Sequence, residues 1–460
     1  MTPTRLMGFF AAFALSVGVA SAASTKGCCV WSNENAAALE AAIAAAPEHG
    51  LNGDVFGTGS AEERQAMRLR ARHALFTRVA LSYATAMSRG VGSAAVSEDN
   101  SDRKLQARLN TELRSALREG TVKAWLGDLA PKAREYRHLK YALASYREMA
   151  AAGGWETLPS GRKLSLGDTA ERVSLLKERL RLEGDLTDAV DGPEFDQTTS
   201  DALIRFQARH GLAADGVLGP ATLGELNVSI EDRVRTIQVN LDRWRSFGRS
   251  LAASRVEVNT AAASLSLYDE GKIVLRMKAV VGKPKHDTPM LKSAIRTVIV
   301  NPQWVVPQSI VKNEIGPKLE EDPDYLTRNN MFWQGGNLVQ ESGPQNALGR
   351  IKFEFPNPYR VYLHDTPARS LFGAADRAQS HGCVRLEQPL DLAEALLEAN
   401  DVEWTREKIE DAIRGGTTKH VALKRAIPVV LSYWTAFVEE DGTINFRPDL
   451  YDRDGGAVSS

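Results

Sequence analysis

The apolar residues of this chain change their period near residue 255, and this change limits what the chain can fold into. Before that point, segments rich in Ala, Leu, Glu and Arg place apolar side chains at helical spacing, as in residues 61–87. After it, residues 255–260 and 264–268 alternate apolar and polar side chains, as strands do. The sequence therefore predicts an α+β protein whose helices come first and whose last half is mostly β.

Length and composition favour several globular domains. The chain has 460 residues, 43% of them hydrophobic and 25% charged, which excludes a largely disordered protein. The formal net charge of −1 gives no global basic field, so we expect no nucleic-acid partner. Three cysteines are too few for a disulfide scaffold or a four-cysteine zinc ribbon.

The first 23 residues have the pattern of an export signal. Arg5 precedes an uncharged stretch over residues 6–20, and small residues at Ala20 and Ala22 fit a cleavage site. We therefore expect a signal peptide over 1–23 and a periplasmic protein, with an uncleaved inner-membrane anchor as the alternative. The adjacent Cys28 and Cys29 suggest no function, because neighbouring cysteines bridge each other only with strain.

The helical half divides into two predicted domains. Residues 33–165 predict a helical scaffold without chemistry of its own. Residues 166–228 predict a small three-helix domain, because helical stripes alternate there with the turn signals Asp215-Gly216 and Gly219-Pro220.

The last predicted domain covers residues 252–436. We expect strands at 255–260, 264–268, 273–281, 297–300, 359–363 and 429–434, and a helix at 390–399. Residues 305–350 are rich in Pro, Gly and Asn and too long for an ordinary connection, so they predict an inserted lid.

The densest chemical signal in the sequence is His364 followed by the run Ser380-His381-Gly382-Cys383-Val384-Arg385. A free thiol is a weak nucleophile at neutral pH, and an imidazole within hydrogen-bond reach can accept its proton during attack. Glycine allows close backbone approach, and backbone N–H groups there could hold an oxyanion. The strand over 359–363 is expected to deliver His364 beside the thiol.

Other interpretations of the same residues stay open at this point. A lone cysteine is often a small core hydrophobe, and His364, His381 and Cys383 could bind zinc only with a fourth ligand. A penicillin-binding type of site is excluded, because no Lys-Thr-Gly or Lys-Ser-Gly accompanies Ser-x-x-Lys sequences such as those at 174–177 and 309–312.

The motif resembles the signature of the L,D-transpeptidase catalytic (YkuD-like) domain. Agreement extends through residues 281–284, 288–289, 301–304, 346–350, 355–357, 364–367 and 433–436. Residues 206–222 resemble a peptidoglycan-binding domain of the three-helix type. The order of domains is similar to that of the large periplasmic transpeptidases of the YcbB type, although the segment 340–344 lacks the usual proline before glycine.

The resemblance implies a role for seven residues, without cofactor or metal. It assigns Cys383 as nucleophile, His364 as proton acceptor and donor, His381 and Gly382 to the oxyanion turn, and Ser380, Arg385 and Trp304 to substrate binding. A strand arginine in a salt bridge is the alternative for Arg385, and a core aromatic is the alternative for Trp304.

The implied activity is acyl exchange on peptidoglycan stem peptides during cell wall biogenesis. Cys383 would release the terminal D-alanine of a tetrapeptide stem as a thioester forms, and an amine of a second stem would then make a 3→3 cross-link. Carbapenems are expected to acylate the same thiol. Three alternatives remain: an L,D-carboxypeptidase, an enzyme anchoring lipoproteins to peptidoglycan, and a catalytically silent wall-binding scaffold. The sequence does not specify the acceptor, the diamino acid, glycan binding by the small domain or the oligomeric state.

Overall fold

The computed structural model describes residues 30–90, 99–188, 191–400 and 403–455. The predicted export signal at 1–23 and the Cys28–Cys29 pair lie outside these ranges. Among the described helices, no segment combines the length and the apolar composition that a bilayer crossing needs.

The N-terminal region is helical, as predicted. Its helices are α1 (Asn33–Ala44), α2 (Ala61–Ala66), α3 (Leu69–Arg89), α4 (Asp99–Glu119), α5 (Val122–Asp128) and α6 (Arg134–Ala151), with 3-10 helices at Ala46–His49 and Gly53–Phe56. Apolar faces of α1, α3, α4 and α5 meet in one core around Leu39, Met87 and Leu109. Helix α1 begins where the Ser32 side chain accepts a hydrogen bond from the Asn35 N–H.

A compact three-helix unit follows, with its own small core. It consists of α7 (Glu171–Leu182), α8 (Gln197–Arg209) and α9 (Pro220–Leu226). Leu176, Leu203 and Phe206 are fully buried in its centre. Because the core is small, two short β-bridges, Leu164 with Leu218 and Thr169 with Glu194, help to hold the loops together.

A long helix, α10 (Ile230–Ser246), connects this unit to the β domain. Trp244 stacks on Trp434 with ring centroids 4.8 Å apart, and the Asn240 side chain bonds both the side chain and the backbone N–H of Thr435. The conspicuous tail over 433–436 therefore joins α10 to the sheet, and its role is packing rather than chemistry.

The β domain of the described chain is built on a closed ring of strands. The ring strands are β1 (Arg255–Asn259), β2 (Ser264–Asp269), β3 (Lys272–Gly282), β4 (Leu291–Val300), β8 (Ile351–Glu354), β9 (Leu363–His364), β11 (Val384–Leu386) and β12 (Lys419–Ser432). Their order is β3-β11-β9-β8-β4-β12-β1-β2, and β2 pairs with β3 to complete the circuit, while β10 (Ala378–Ser380) joins the outer edge of β3. Closure removes the exposed edges of the sheet.

Two helices and a hairpin complete this domain. Helices α14 (Pro389–Glu398) and α15 (Arg406–Arg414) bury Leu392, Leu396 and Ile409 in the same core as the strands. The hairpin of β13 (Ala436–Val438) and β14 (Ile444–Phe446) packs instead on α6 and α10. The α+β class with a mostly-β last domain is as the sequence predicts.

An inserted subdomain lies between the paired strands β4 and β8, where the lid was predicted. It holds β5 (Trp304–Val305), α11 (Gln308–Ile310), a π-helix (Val311–Ile315), α12 (Gly316–Glu321), α13 (Tyr325–Arg328), β6 (Met331–Gln334) and β7 (Asn337–Gln340). Its three strands form a separate sheet in the order β5-β7-β6. Its core is separate from that of the ring and contains Val306, Ile315 and Leu338. We call this inserted subdomain the lid.

The strand predicted over 359–363 is wrong for most of its length. Only Leu363–His364 forms a strand, because Arg360 takes a left-handed conformation with φ +56°. The Asn357 side chain accepts hydrogen bonds from the N–H groups of Tyr359 and Val361, which holds this segment in a loop.

Candidate active site

Cys383 lies directly before β11, after a turn that only glycine adopts readily. Gly382 has φ +108°, so its backbone turns the chain into the strand. The Val384 N–H then donates to the Tyr362 carbonyl oxygen at 3.0 Å, which fixes the start of β11 against β9. The thiol is free and partly exposed, with Sγ 3.9 Å from the Arg360 carbonyl oxygen.

His364 lies on the same face of the sheet as Cys383. Strands β9 and β11 are parallel, with His364 directly opposite Arg385. Because side chains alternate along a strand, Arg385 and Cys383 share one face, and His364 is a diagonal neighbour of Cys383 on that face. The register thus places the two residues that the sequence singled out at diagonal positions on one face, and proton transfer between them stays a prediction.

A backbone contact fixes the orientation of the His364 ring. Nδ1 donates to the Asp365 carbonyl oxygen at 2.5 Å, so the other ring nitrogen is left as an acceptor in the neutral imidazole. The residue is only 4% exposed, and burial lowers the pKa of His364 to about 4, although the backbone groups of Asp365 and Leu348 oppose this. The imidazole is therefore neutral at pH 7.

The thiol is also neutral at rest. Burial raises the pKa of Cys383, and the Tyr362 backbone with the Lys352 and Arg385 charges offsets this only in part. A neutral thiol beside a neutral imidazole suits proton transfer during attack rather than a preformed ion pair.

Arg385 carries an uncompensated positive charge beside the thiol. The salt bridge considered as its alternative is wrong, because no hydrogen bond or ion pair to its guanidinium occurs among the described residues. Burial lowers the pKa of Arg385, and the nearby Cys383 opposes that shift. A half-buried guanidinium without a partner is suited to binding a carboxylate.

The turn before Cys383 is braced by Ser380. The Ser380 hydroxyl donates to the Cys383 carbonyl oxygen at 2.5 Å and accepts from the Gly382 N–H at 3.1 Å. Its side chain is buried, which favours bracing over the predicted contact with substrate. Since the Gly382 N–H is occupied, the N–H groups of His381 and Cys383, unbonded within the described chain, are the turn's remaining candidates for an oxyanion.

A second set of hydrogen bonds, which sequence reasoning missed, links the turn at Gly382 to the end of β3. The buried Thr288 hydroxyl donates to the Gly382 carbonyl oxygen and accepts from the Gly282 N–H, both at 2.9 Å. The Tyr451 hydroxyl donates to the Gly282 carbonyl oxygen at 2.6 Å. A Cβ at Gly282 would collide with the His286 carbonyl oxygen, so the close approach requires glycine. The signal for this brace in the sequence was Thr288, which belongs to the segment 288–289 that agrees with the catalytic-domain signature.

Asp365 anchors the strand that carries His364. Its carboxylate accepts from the Arg350 N–H at 2.8 Å, and its own N–H donates to the Ile351 carbonyl oxygen at 2.8 Å. Gly349, at φ +63°, lies so close that a Cβ there would collide with Asp365 Cγ. The Gly349-Arg350 motif therefore positions His364.

Two lid residues bear on the site, and one of them contacts the turn before Cys383. Trp304, on β5, is partly buried against the lid core, so its predicted place at the pocket rim stays a prediction. Glu314, on the π-helix, has Oε1 2.8 Å from His381 Nε2. The His381 side chain thus faces the lid, while its backbone belongs to the turn.

The geometry gives no support to the zinc alternative. Within the described chain, no group of three or more His, Cys, Asp or Glu side chains is arranged to hold a metal ion.

Comparison with protein families gives three matches along the chain. A family described as "L,D-transpeptidase catalytic domain" matches residues 253–408, one described as "Putative peptidoglycan binding domain" matches 169–226, and one described as "Scaffold domain" matches 25–143. The first covers the site and every ring strand except β12, and the second covers α7–α9.

Curated and solved relatives carry similar names. A "Putative L,D-transpeptidase" of Haemophilus influenzae is 32% identical over 217 residues, which cover 43% of this chain and 44% of that protein. The chain therefore spans less than half of this relative.

Two solved structures are more distant. An L,D-transpeptidase from Stackebrandtia nassauensis is 14% identical, with a TM-score of 0.24 over 60% of this chain and 95% of its own. The L,D-transpeptidase 3 of Mycobacterium tuberculosis, bound to a faropenem-derived adduct, is 15% identical, with a TM-score of 0.22 over 39% of this chain and 60% of its own.

The family matches and the site agree on one class of chemistry. A domain of this family is an acyltransferase domain, and the match covers both Cys383 and His364. Residues 253–408 are therefore similar to an L,D-transpeptidase catalytic domain, and the preceding residues 169–226 are similar to a peptidoglycan-binding domain.

Proposed function

We propose that this protein cross-links peptidoglycan in the periplasm as an L,D-transpeptidase that forms a thioester on Cys383. The observation that carries the proposal is the shared face of Cys383, His364 and Arg385, which combines a neutral thiol, a neutral imidazole with a fixed tautomer and an unpaired guanidinium. The export pattern of residues 1–23 supports the location.

The first half of the reaction releases D-alanine. The Cys383 sulfur attacks the carbonyl that joins the diamino acid to the terminal D-alanine, while the thiol proton passes to the free nitrogen of His364. His364 then protonates the departing amine, and the acyl group remains on sulfur. Arg385 binds the terminal carboxylate of the donor, and the N–H groups of His381 and Cys383 face the developing oxyanion.

The second half of the reaction forms the 3→3 cross-link. The side-chain amine of a second stem attacks the thioester, a proton returns through His364 to the Cys383 sulfur, and the new amide leaves. The peptidoglycan-binding domain supports a role in holding the polymer near this site. A lid over the thioester favours an amine over water as the acceptor.

The test combines purified tetrapeptide muropeptides with the full-length protein. We expect D-alanine release, a mass increase on Cys383 that matches the acylated protein, and a cross-linked dimer as the product. Cys383→Ala should abolish all three, while His364→Gln should slow acylation by about 10²-fold or more.

The products separate the proposal from its alternatives. A tripeptide without dimer would identify an L,D-carboxypeptidase, and dimer formed only with a lysine-bearing lipoprotein would identify an anchoring enzyme. Wall binding without any adduct on Cys383 would identify a catalytically silent wall-binding scaffold. A carbapenem should give a stoichiometric adduct on wild-type protein and none on Cys383→Ala.

A further inference from the structure

The contact between Glu314 and His381 links the lid to the turn that carries the nucleophile. Glu314 lies on the π-helix of the lid, next to Ile315, which is buried in the lid core. His381 lies two residues before Cys383. Their side chains meet with Oε1 2.8 Å from Nε2, and the first half of the reaction makes no use of this pair.

The carboxylate fixes which nitrogen of His381 can accept a proton. With Glu314 ionised, Nε2 carries the hydrogen and donates it, so the lone pair is on Nδ1. No hydrogen bond to Nδ1 occurs in the described part of the chain. The His381 side chain is 31% exposed and that of Glu314 is 42% exposed, so a solute can reach the pair.

The surroundings keep His381 unprotonated and ready to accept. Burial lowers the pKa of His381, and the charges of Lys283 and Arg385 and the neighbouring His286 lower it further, whereas Glu314 raises it. The His286 ring lies edge-on to the His381 ring, with centroids 5.0 Å apart. A neutral imidazole backed by a carboxylate is the arrangement of a general base.

The second half of the reaction needs a base that His364 does not supply. A side-chain amine of lysine type has a pKa of about 10.4, so it arrives as an ammonium and cannot attack until it loses a proton. His364 is buried, and its ring must be free to return a proton to Cys383 as the thioester is resolved. A second proton acceptor is therefore required.

We propose that His381, positioned by Glu314, is the general base that deprotonates the acceptor ammonium. This inference rests on the proposed function. The ammonium gives one proton to His381 Nδ1, and Glu314 stabilises the resulting imidazolium. The neutral amine attacks the thioester carbonyl, its remaining excess proton passes by way of His364 to the Cys383 thiolate, and the proton on His381 returns to solvent.

The position of Glu314 ties this base to the state of the lid. Because Glu314 belongs to the inserted subdomain, the lid supplies one of the two side chains of the pair. Water, by contrast, reaches the site as a neutral molecule and has no ammonium proton to lose before it attacks. The pair therefore serves an acceptor that arrives as a cation.

The experiment compares two acceptors on a preformed acyl-enzyme. Full-length wild-type and Glu314→Gln proteins are acylated with a tetrapeptide muropeptide, and the thioester is then treated with an ammonium acceptor stem or with hydroxylamine, which is neutral at pH 7. We expect Glu314→Gln to slow reaction with the stem by about tenfold or more and to leave hydroxylamine unaffected. Raising the pH towards the pKa of the acceptor should restore the stem reaction.

Matched variants separate catalysis from folding. Glu320→Gln removes an exposed lid carboxylate that makes no ion pair within the described residues, so it should behave as wild type. Glu314→Asp should recover part of the stem reaction, and His381→Gln should lose it. Thermal melting of every variant reports on folding.

The outcomes are distinguishable from failure of the proposed function. If wild-type protein forms no acyl-enzyme, the proposed function is wrong. If the acyl-enzyme forms and Glu314→Gln transfers it to the ammonium stem at the wild-type rate, the base is not this pair. Equal slowing with hydroxylamine would also overturn the proposal, because that acceptor needs no deprotonation.

Discussion

His364 lies directly opposite Arg385 in the parallel pairing of β9 with β11, so an imidazole and an unpaired guanidinium flank the same thiol. One register therefore places a proton acceptor and a carboxylate-binding group around Cys383. A slip of one residue would turn one of the two side chains to the other face of the sheet.

The unpaired guanidinium predicts a defect in donor binding. Arg385→Gln should raise the KM for a tetrapeptide donor by about tenfold to a hundredfold with a smaller change in kcat, because it removes a charge-assisted hydrogen bond to the terminal carboxylate. Steady-state D-alanine release measures this. Arg296→Gln, on the exposed side of β4, is the control. With a donor whose terminal carboxylate is amidated, the two variants should match wild type, and a persistent defect would contradict the assignment.

The neutral thiol predicts slow alkylation at neutral pH. Since burial raises the pKa of Cys383 above its usual 9.0, iodoacetamide should react slowly at pH 7 and progressively faster as the pH passes 9. Mass spectrometry of the intact protein follows the adduct, with Cys383→Ala as the blank. A rate that is already at its plateau at pH 7 would indicate a thiolate–imidazolium pair instead.

The brace below the turn predicts coupled losses of stability and acylation. Thr288→Val keeps the shape but leaves the buried Gly282 N–H and Gly382 carbonyl without partners, which should cost about 2–4 kcal/mol in free energy of unfolding. Denaturant unfolding and acylation rates measure the two effects. Thr297 lies on β4 and makes no side-chain hydrogen bond in the described chain. The free energy of unfolding of Thr297→Val should therefore stay within about 0.5 kcal/mol of the wild-type value. If Thr288→Val is acylated at the wild-type rate, the Thr288 hydrogen bonds do not contribute to catalysis.

Two glycines in the same backbone conformation predict different costs for alanine. Gly416, at φ +72°, has nothing within 4 Å of the position that a Cβ would take, so Gly416→Ala should lose only about 1 kcal/mol from its left-handed conformation. Gly349→Ala should lose several times more and slow acylation, because its Cβ would displace Asp365 and with it His364. Melting temperatures and D-alanine release test the pair, and equal effects would show that Asp365 yields without moving the imidazole.

The sequence by itself determined the order of the elements and the residues of the chemistry. The change of period near residue 255 predicted helices followed by strands, because a helix and a half-buried strand need different spacings of apolar residues. The run around Cys383, with His364 before it, identified the candidate nucleophile and base, because few residue types can do that work.

Only the tertiary structure decided how those residues meet. The strand expected over 359–363 fails at Arg360, because Asn357 holds the loop by side-chain bonds that periodicity does not reveal. The absence of a partner for Arg385 among the described residues, the Thr288 brace and the approach of Glu314 to His381 likewise depend on register and on contacts distant in sequence. A local sequence pattern specifies the face of the strand on which a side chain lies. Its neighbours on that face are specified by the closure of the ring of strands and by the position of the lid.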